Sequence, residues 1–530
     1  MNKTLIALFC GVFLFTNLLF VKAGEKSIVA SKQINGLSIS IDSRQELISI
    51  VQYLGDYFRL NKFNLEYKNS IDQYFEKYKD HEAVLFVKGL SQKGFTYDAP
   101  PAMMLHLSDE LNVDNEMPEY LLRRIGGEDQ LKKFVSVLKQ FVEDTHFNEF
   151  IESHQSFYAG LVDNMATQLN DFNEIETIEK FYGKKQNSYN IILSCLNSGN
   201  YGPGVSVNGK LDIYNIMSPR KEENGQPVFG QINDIEYLVW HEFGHSYVNY
   251  LTDENNDLVE GYKQLLNPIK DQMKKQAYGS WTTVVNEQVI RAVTTFLAKQ
   301  KYGDEIAEKV MYKEVGRGFI YTEPMMKALE IYSNNRSKYP TFADFYPTLI
   351  KTAFDDAKTN DYNAQYMISI NQTFANVDYI VVSEKEDGNE GEILNYVKMI
   401  RDKFMKDKQI ITDKEALDLD ISQYSFMIYG TEKNNLLLKK FKTNLPIITS
   451  ESSIKADKEY ELSDGKAIFN MQNPANPEKY LLIYTAQKSD GIVNINNVFH
   501  GPTNYVVFRD RNNVLKSGTL VKVKEGWKCL

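Results

Sequence analysis

Leu238–Asn249, LVWHEFGHSYVN, constrains the fold more than any other stretch, because it sets three ionisable groups inside an otherwise apolar helix. Leu238, His241, His245 and Val248 follow spacings of three, four and three and share one stripe, while Val239, Phe243 and Tyr250 supply apolar surface on other faces. A helix of this pattern is buried on most sides. Residues four apart are offset by only about 40° around a helix axis, so the imidazoles of His241 and His245 can reach one ion, with Glu242 beside them.

This H-E-x-x-H spacing carries a specific chemistry. Neutral imidazoles are good ligands for Zn²⁺, and two of them leave a tetrahedral shell half filled. An open position suits a hydrolytic zinc, and a neighbouring carboxylate, here Glu242, can take a proton from water and pass it to the leaving amine. Only 7 of the 530 residues are histidine, so chance seldom produces the pattern. Gly244 costs about 1 kcal/mol in a helix interior, which predicts a close approach of another backbone or a ligand. His81, His106, His146, His154 and His500 have no ligand spacing and read as structural or solvated.

A third ligand has to come from elsewhere. A histidine or aspartate six residues after His245 would fall on Leu251, which excludes the metzincin arrangement. SWTTVVNEQVIRAVTTFLAK reads as a following helix with Val284, Glu287, Val289, Ile290 and Val293 on its inner side. Glu287 among apolar neighbours needs a partner, and zinc is one. Arg291, one turn on, is the other. Glu260 and Glu254, in a polar stretch, are competing ligands. For the oxyanion of a tetrahedral intermediate the candidates are Tyr321 in GRGFIYTEP and Tyr201 in GNYGPG. A free edge on the strand LDIYNIM would let an extended peptide pair with it.

The composition, 43% apolar and 25% charged, is that of a globular chain long enough for more than one core. A formal charge of −10 disfavours a large basic surface for nucleic acid. At the N-terminus, Lys3, an apolar run from Leu5 to Val21 and Val-Lys-Ala form a signal peptide over residues 1–23, so export is expected. Thr16 and Asn17 interrupt the run, which argues against a retained anchor, and no later segment is apolar enough to span a bilayer. The two remaining cysteines, Cys195 and Cys529, make no disulfide framework.

Periodicity predicts amphipathic helices from about Asp42 to Asn187, among them RQELISIVQYLGDYF, SIDQYFEKYKD, LKKFVSVLKQFVED and HQSFYAGLVDNMATQLNDF. YNIILSCL and LDIYNIM read as strands joined by a Gly-rich loop into a hairpin or edge pair. SEKEDGNEGE marks a linker, over 381–392. Beyond it, helices and strands alternate as in a small α/β domain over 393–530. No G-x-S-x-G, P-loop or dinucleotide fingerprint is present.

VWHEFGHSYVN, NEQVIRA and SGNYGPG, with GFTYDAP, GFIYTEP and TFADFYP, resemble a family of exported bacterial proteins classed as a domain of unknown function, with the character of gluzincin-type zinc metallopeptidases. The likeness runs from about Asp42 to Asp378. It implies Zn²⁺ on His241, His245 and Glu287 with Glu242 as catalytic base; the family has no settled substrate, and a peptide or protein substrate is the expectation from the zinc-water chemistry of these residues. The implied class is α+β: a zincin-like unit over 24–380, largely helical with a small edge sheet, then the α/β domain. Better known gluzincins carry an acid four residues after the ligand glutamate; here Arg291 stands there, so it either fixes Glu287 or meets a substrate carboxylate. The rival readings are a non-catalytic surface or binding protein with this fold, and a zinc hydrolase of non-peptide substrates.

Overall fold

The computed structural model describes residues 27–113, 116–360, 362, 369–498, 503–523 and 526–529. The expected signal peptide and His500 lie outside them. The chain divides into two compact units, one of residues up to 179 with 185–246, the other of 180–184 with 247–530. Among the described residues no helix is long and apolar enough to cross a membrane, and Cys195 and Cys529 are free thiols.

The first unit is built on a mixed five-stranded sheet: β1 (Ile28–Ile34), β2 (Leu37–Asp42), β3 (Ser188–Leu193), β4 (Gly204–Val207) and β5 (Lys210–Met217), in the order β1-β2-β3-β5-β4. β1 and β2 pair antiparallel around Asn35-Gly36, both at positive φ (46° and 84°), the conformation a two-residue hairpin of right-twisted strands requires. β2, β3 and β5 run parallel, so the connection from β2 to β3 has room for the helices read from the sequence. The expected hairpin of YNIILSCL and LDIYNIM is thus a parallel pair. The Gly-rich loop between them holds the strand β4, which pairs antiparallel with β5.

Leading the helical connection, α1 (Ser43–Leu54) is capped by Asp42, whose carboxylate accepts from the Arg44 amide at 2.9 Å. It is buried on nearly every side, so its polar residues must be satisfied internally. Glu46 is fully buried. The Tyr67 hydroxyl donates to it at 2.6 Å and lies 2.7 Å from the Tyr158 hydroxyl. Burial pushes the Glu46 carboxyl from 4.5 up to about 7, against the hydrogen bond from Tyr67. After β5 a short hairpin, Lys221–Glu223 with Gln226–Val228, leads into α2 (Ile232–Glu254), the helix of the opening stretch.

In the second unit α3 (Trp281–Tyr302) is capped by Ser280, which accepts from the Thr283 amide. It is followed by helices over Asp304–Gly316, Thr322–Asn334 and Phe342–Thr359. A seven-stranded sheet then starts at Tyr379–Val382. Its strands alternate faces: Phe426, Ile428, Leu481 and Ile483 enter one apolar cluster, Met427, Tyr429, Leu482 and Tyr484 the other. Helices cover both faces, as parallel strands demand. The stretch expected as a linker follows the strand Tyr379–Val382 and enters the helix Glu390–Phe404, and Glu386 between them is fully buried. Glu386 accepts from the Thr431 amide at 2.8 Å and from the hydroxyls of Ser383 and Ser489, which explains how so polar a segment is packed. The sheet's strand order reverses between Tyr379–Val382 and Phe426–Tyr429, and Glu386 fills the crevice beyond their carboxyl ends.

Glu46 makes stability depend on pH. Its folded-state value lies above the ordinary one, so the native chain keeps a proton that the unfolded chain releases between about pH 4.5 and 7, and wild-type stability falls as pH rises through that window, by about 3 kcal/mol at most. Glu46→Gln removes this titration. Denaturant midpoints of the variant, measured against wild type, should gain between pH 5 and pH 8; parallel curves would show that Glu46 is ionised in the fold.

Candidate metal centre

The apolar faces of α2 are firmly anchored. Val239, Phe243 and Val248 are fully buried, Phe243 packs against Tyr189 with ring centroids 5.7 Å apart, and the Trp240 indole donates to Glu174 at 2.8 Å. His241 and His245 are only half-buried. Their rings lie 5.2 Å apart at 86° to each other, on adjoining turns as the spacing requires. Glu242 is buried.

The loop before β4 sets the depth of this helix. Tyr201 exchanges backbone hydrogen bonds with Ile216 on β5, at 3.1 and 2.9 Å, which carries the next residue, Gly202, onto α2. A Cβ at Gly202 would come 2.1 Å from the Glu242 carbonyl oxygen, so only glycine allows the contact. A Cβ on Gly204 would stand 3.4 Å from the Ser246 hydroxyl. The start of β4 therefore runs along α2 from Glu242 to Ser246. β4 is also the last strand of the sheet, so the free edge expected on LDIYNIM belongs to β4 instead; β5 lies between β3 and β4.

On α3, Glu287 is buried and receives the Arg291 guanidinium at 2.9 Å. Arg291 also donates to Glu314, which is paired in turn with Arg317 at 3.2 Å, and it lies 4.1 Å from the centre of the Phe319 ring. Arg291 is thus held between two buried carboxylates, and of its two expected roles the structure shows the fixing of Glu287. One ring nitrogen from each of His241 and His245 and one carboxylate oxygen of Glu287 all lie within 4.8 Å of one another. Glu254 is exposed, and Glu260 pairs with Lys263 at 2.8 Å.

Tyr321 is buried, its hydroxyl donating to the Leu265 carbonyl at 2.6 Å and its ring edge-on to Phe354. That hydroxyl proton is already engaged within the core. Two other residues near Glu287 escaped the sequence reading. Glu314 sits 23 positions from its arginine, beyond any helical spacing rule. Tyr278 is half-buried; burial and then the charge of Glu287 push its phenol up to about 12, while Arg291 pulls it down. The tyrosine before a helix cap has no signature of its own.

Residues 37–352 match the profile of a family described as Domain of unknown function (DUF4932). The match takes in well over half of the chain, from β2 to the helix Phe342–Thr359, and the chain belongs to this family. No curated protein and no solved structure matches it.

Arg291→Met tests the buried ionic group. It leaves Glu287 and Glu314 without their shared cation and should destabilise the chain by about 3–5 kcal/mol in denaturant unfolding. A loss below about 1 kcal/mol would mean that the two carboxylates find water or other donors.

Proposed function

We propose that the chain is an exported zinc metallopeptidase of the gluzincin type that hydrolyses peptide bonds. The observation that carries this reading is the convergence of His241, His245 and Glu287. Two imidazoles and one carboxylate are the donor set of a catalytic rather than a structural zinc. The half-exposed rings leave the site reachable, and the Arg291 contact holds Glu287 as an outer partner holds a ligand. The mixed sheet, with an antiparallel edge strand against the helix of the two histidines, agrees with a zincin-like unit. Zinc bound to these residues supplies Lewis-acid charge that makes water more acidic and a carbonyl more electrophilic.

The roles of the chain's own groups follow from their places. Glu242, its peptide fixed against Gly202, accepts the proton of the attacking water and gives it to the amide nitrogen as the C–N bond breaks. The unpaired edge of β4 takes the substrate main chain in extended form and leads it along α2 past Glu242. Tyr321, engaged with Leu265, is not needed for this scheme.

Elemental analysis of the purified, unchelated protein should find one zinc per chain, and a chelator should stop cleavage of a peptide library. Glu242→Gln should keep the metal and lose at least about a hundredfold in turnover. A metal-loaded wild type that cleaves no peptide favours a binding protein; a chain without stoichiometric metal sinks the reading altogether.

A further inference from the structure

The motif GFTYDAP is not used by the scheme above, and it places an aromatic ring in a costly conformation. Tyr97 has φ +59°, a region that bulky side chains avoid at about 1–3 kcal/mol. Its amide donates to the Tyr57 hydroxyl at 2.8 Å, which holds it there. The ring it presents lies 5.0 Å under the Arg59 guanidinium and edge-on to Phe58, which is 58% exposed. Strain of this kind persists where the surroundings impose it, and it clusters at ligand sites.

Arg59 itself is half-buried, and its Nε is buried without an acceptor. No carboxylate of the described residues pairs with it; the nearby Asp98 pairs with Arg124 at 3.4 Å. A guanidinium that is stacked on an aromatic face and lacks an anion is prepared to bind one, since its fork matches a carboxylate. Its backbone is stitched to the loop that reaches the candidate centre. The Arg59 carbonyl accepts from the Ser198 amide at 3.1 Å and hydroxyl at 2.7 Å, and the Asn61 amide donates to the Leu196 carbonyl. The guanidinium then stands 3.4 Å from where a Cβ on Gly199 would be, beside the Tyr201 hydroxyl. The next residue, Gly202, touches Glu242. Phe58, Arg59 and Tyr97 thus stand at the entrance of β4, on the Glu242 side.

We propose that Arg59, braced by Tyr97 and Phe58, is a substrate-binding group that selects peptides bearing a carboxylate, either an acidic side chain or a free C-terminus. This rests on the peptidase reading for its substrate, while the carboxylate site stands on its own geometry. The guanidinium forms a bidentate pair with the carboxylate, and the exposed ring of Phe58 covers the adjoining apolar stem.

The test uses the full-length Glu242→Gln chain, so that bound peptide is not consumed, and peptide pairs that differ only in Glu for Gln at each position or in a free for an amidated C-terminus. The carboxylate member of at least one kind of pair should bind roughly tenfold to hundredfold more tightly, and high salt should reduce the difference. Arg59→Gln should abolish the preference and Arg59→Lys should keep part of it, since charge survives and the planar fork does not. The kind of pair that discriminates identifies the source of the carboxylate. Equal binding within every pair, or a preference that survives in Arg59→Gln, overturns the inference even if wild type cleaves peptides. A preference that depends on Arg59, in a chain whose wild type cleaves none, retains the carboxylate site and refutes the peptidase reading.

Discussion

The peptides of Gly202 and Glu242 lie in direct contact, with no space for even a methyl group between them. That contact sets the distance from the end of the five-stranded sheet to the histidine-bearing helix. A larger residue at 202 would lift the loop from the helix, taking with it the start of β4 and the segment that holds Arg59. Because protein interiors are close-packed, such a shift would not be absorbed locally. The course of β4 along the helix from Glu242 to Ser246 therefore depends on one close approach.

Buried carboxylates are handled in two different ways in this chain. Glu287 and Glu314 share one guanidinium and its aromatic neighbour, an arrangement that keeps charge in the interior by pairing it. Glu46 meets the Tyr67 hydroxyl and the Cys195 backbone and gives up its charge instead, because burial outweighs both and raises it to about 7. The pairing preserves an anionic oxygen where a cation can use it. Neutralisation serves packing, and it ties α1 to the tyrosines of two other helices.

How legible all this was in the sequence depended on the range of the signal. Helices with sustained periodicity were readable because a helix writes its buried face locally; LKKFVSVLKQFVED falls within Glu128–Thr145, and SWTTVVNEQVIRAVTTFLAK is the cap Ser280 followed by residues of α3. The relation of His241 to His245 is a property of one helix and was legible for the same reason. Strand pairing was not, since partners far apart in sequence leave no local trace: YNIILSCL and LDIYNIM became parallel neighbours, and β4 hid in a loop rich in glycine. The hairpin of β1 and β2 did carry a signal, the Asn35-Gly36 turn between alternating residues. In the acidic run 383–392 composition reports only average polarity, and it leaves no trace of the burial of Glu386 by specific donors from Ser383, Thr431 and Ser489.

Tyr97 bears on how such chains drift. At a left-handed backbone position glycine or asparagine relieves strain, so random substitution pushes this site toward them whenever nothing opposes it. Persistence of an aromatic ring there across descendants would be a fossil of selection for what the ring supports, and its replacement by glycine would mark lineages released from that demand.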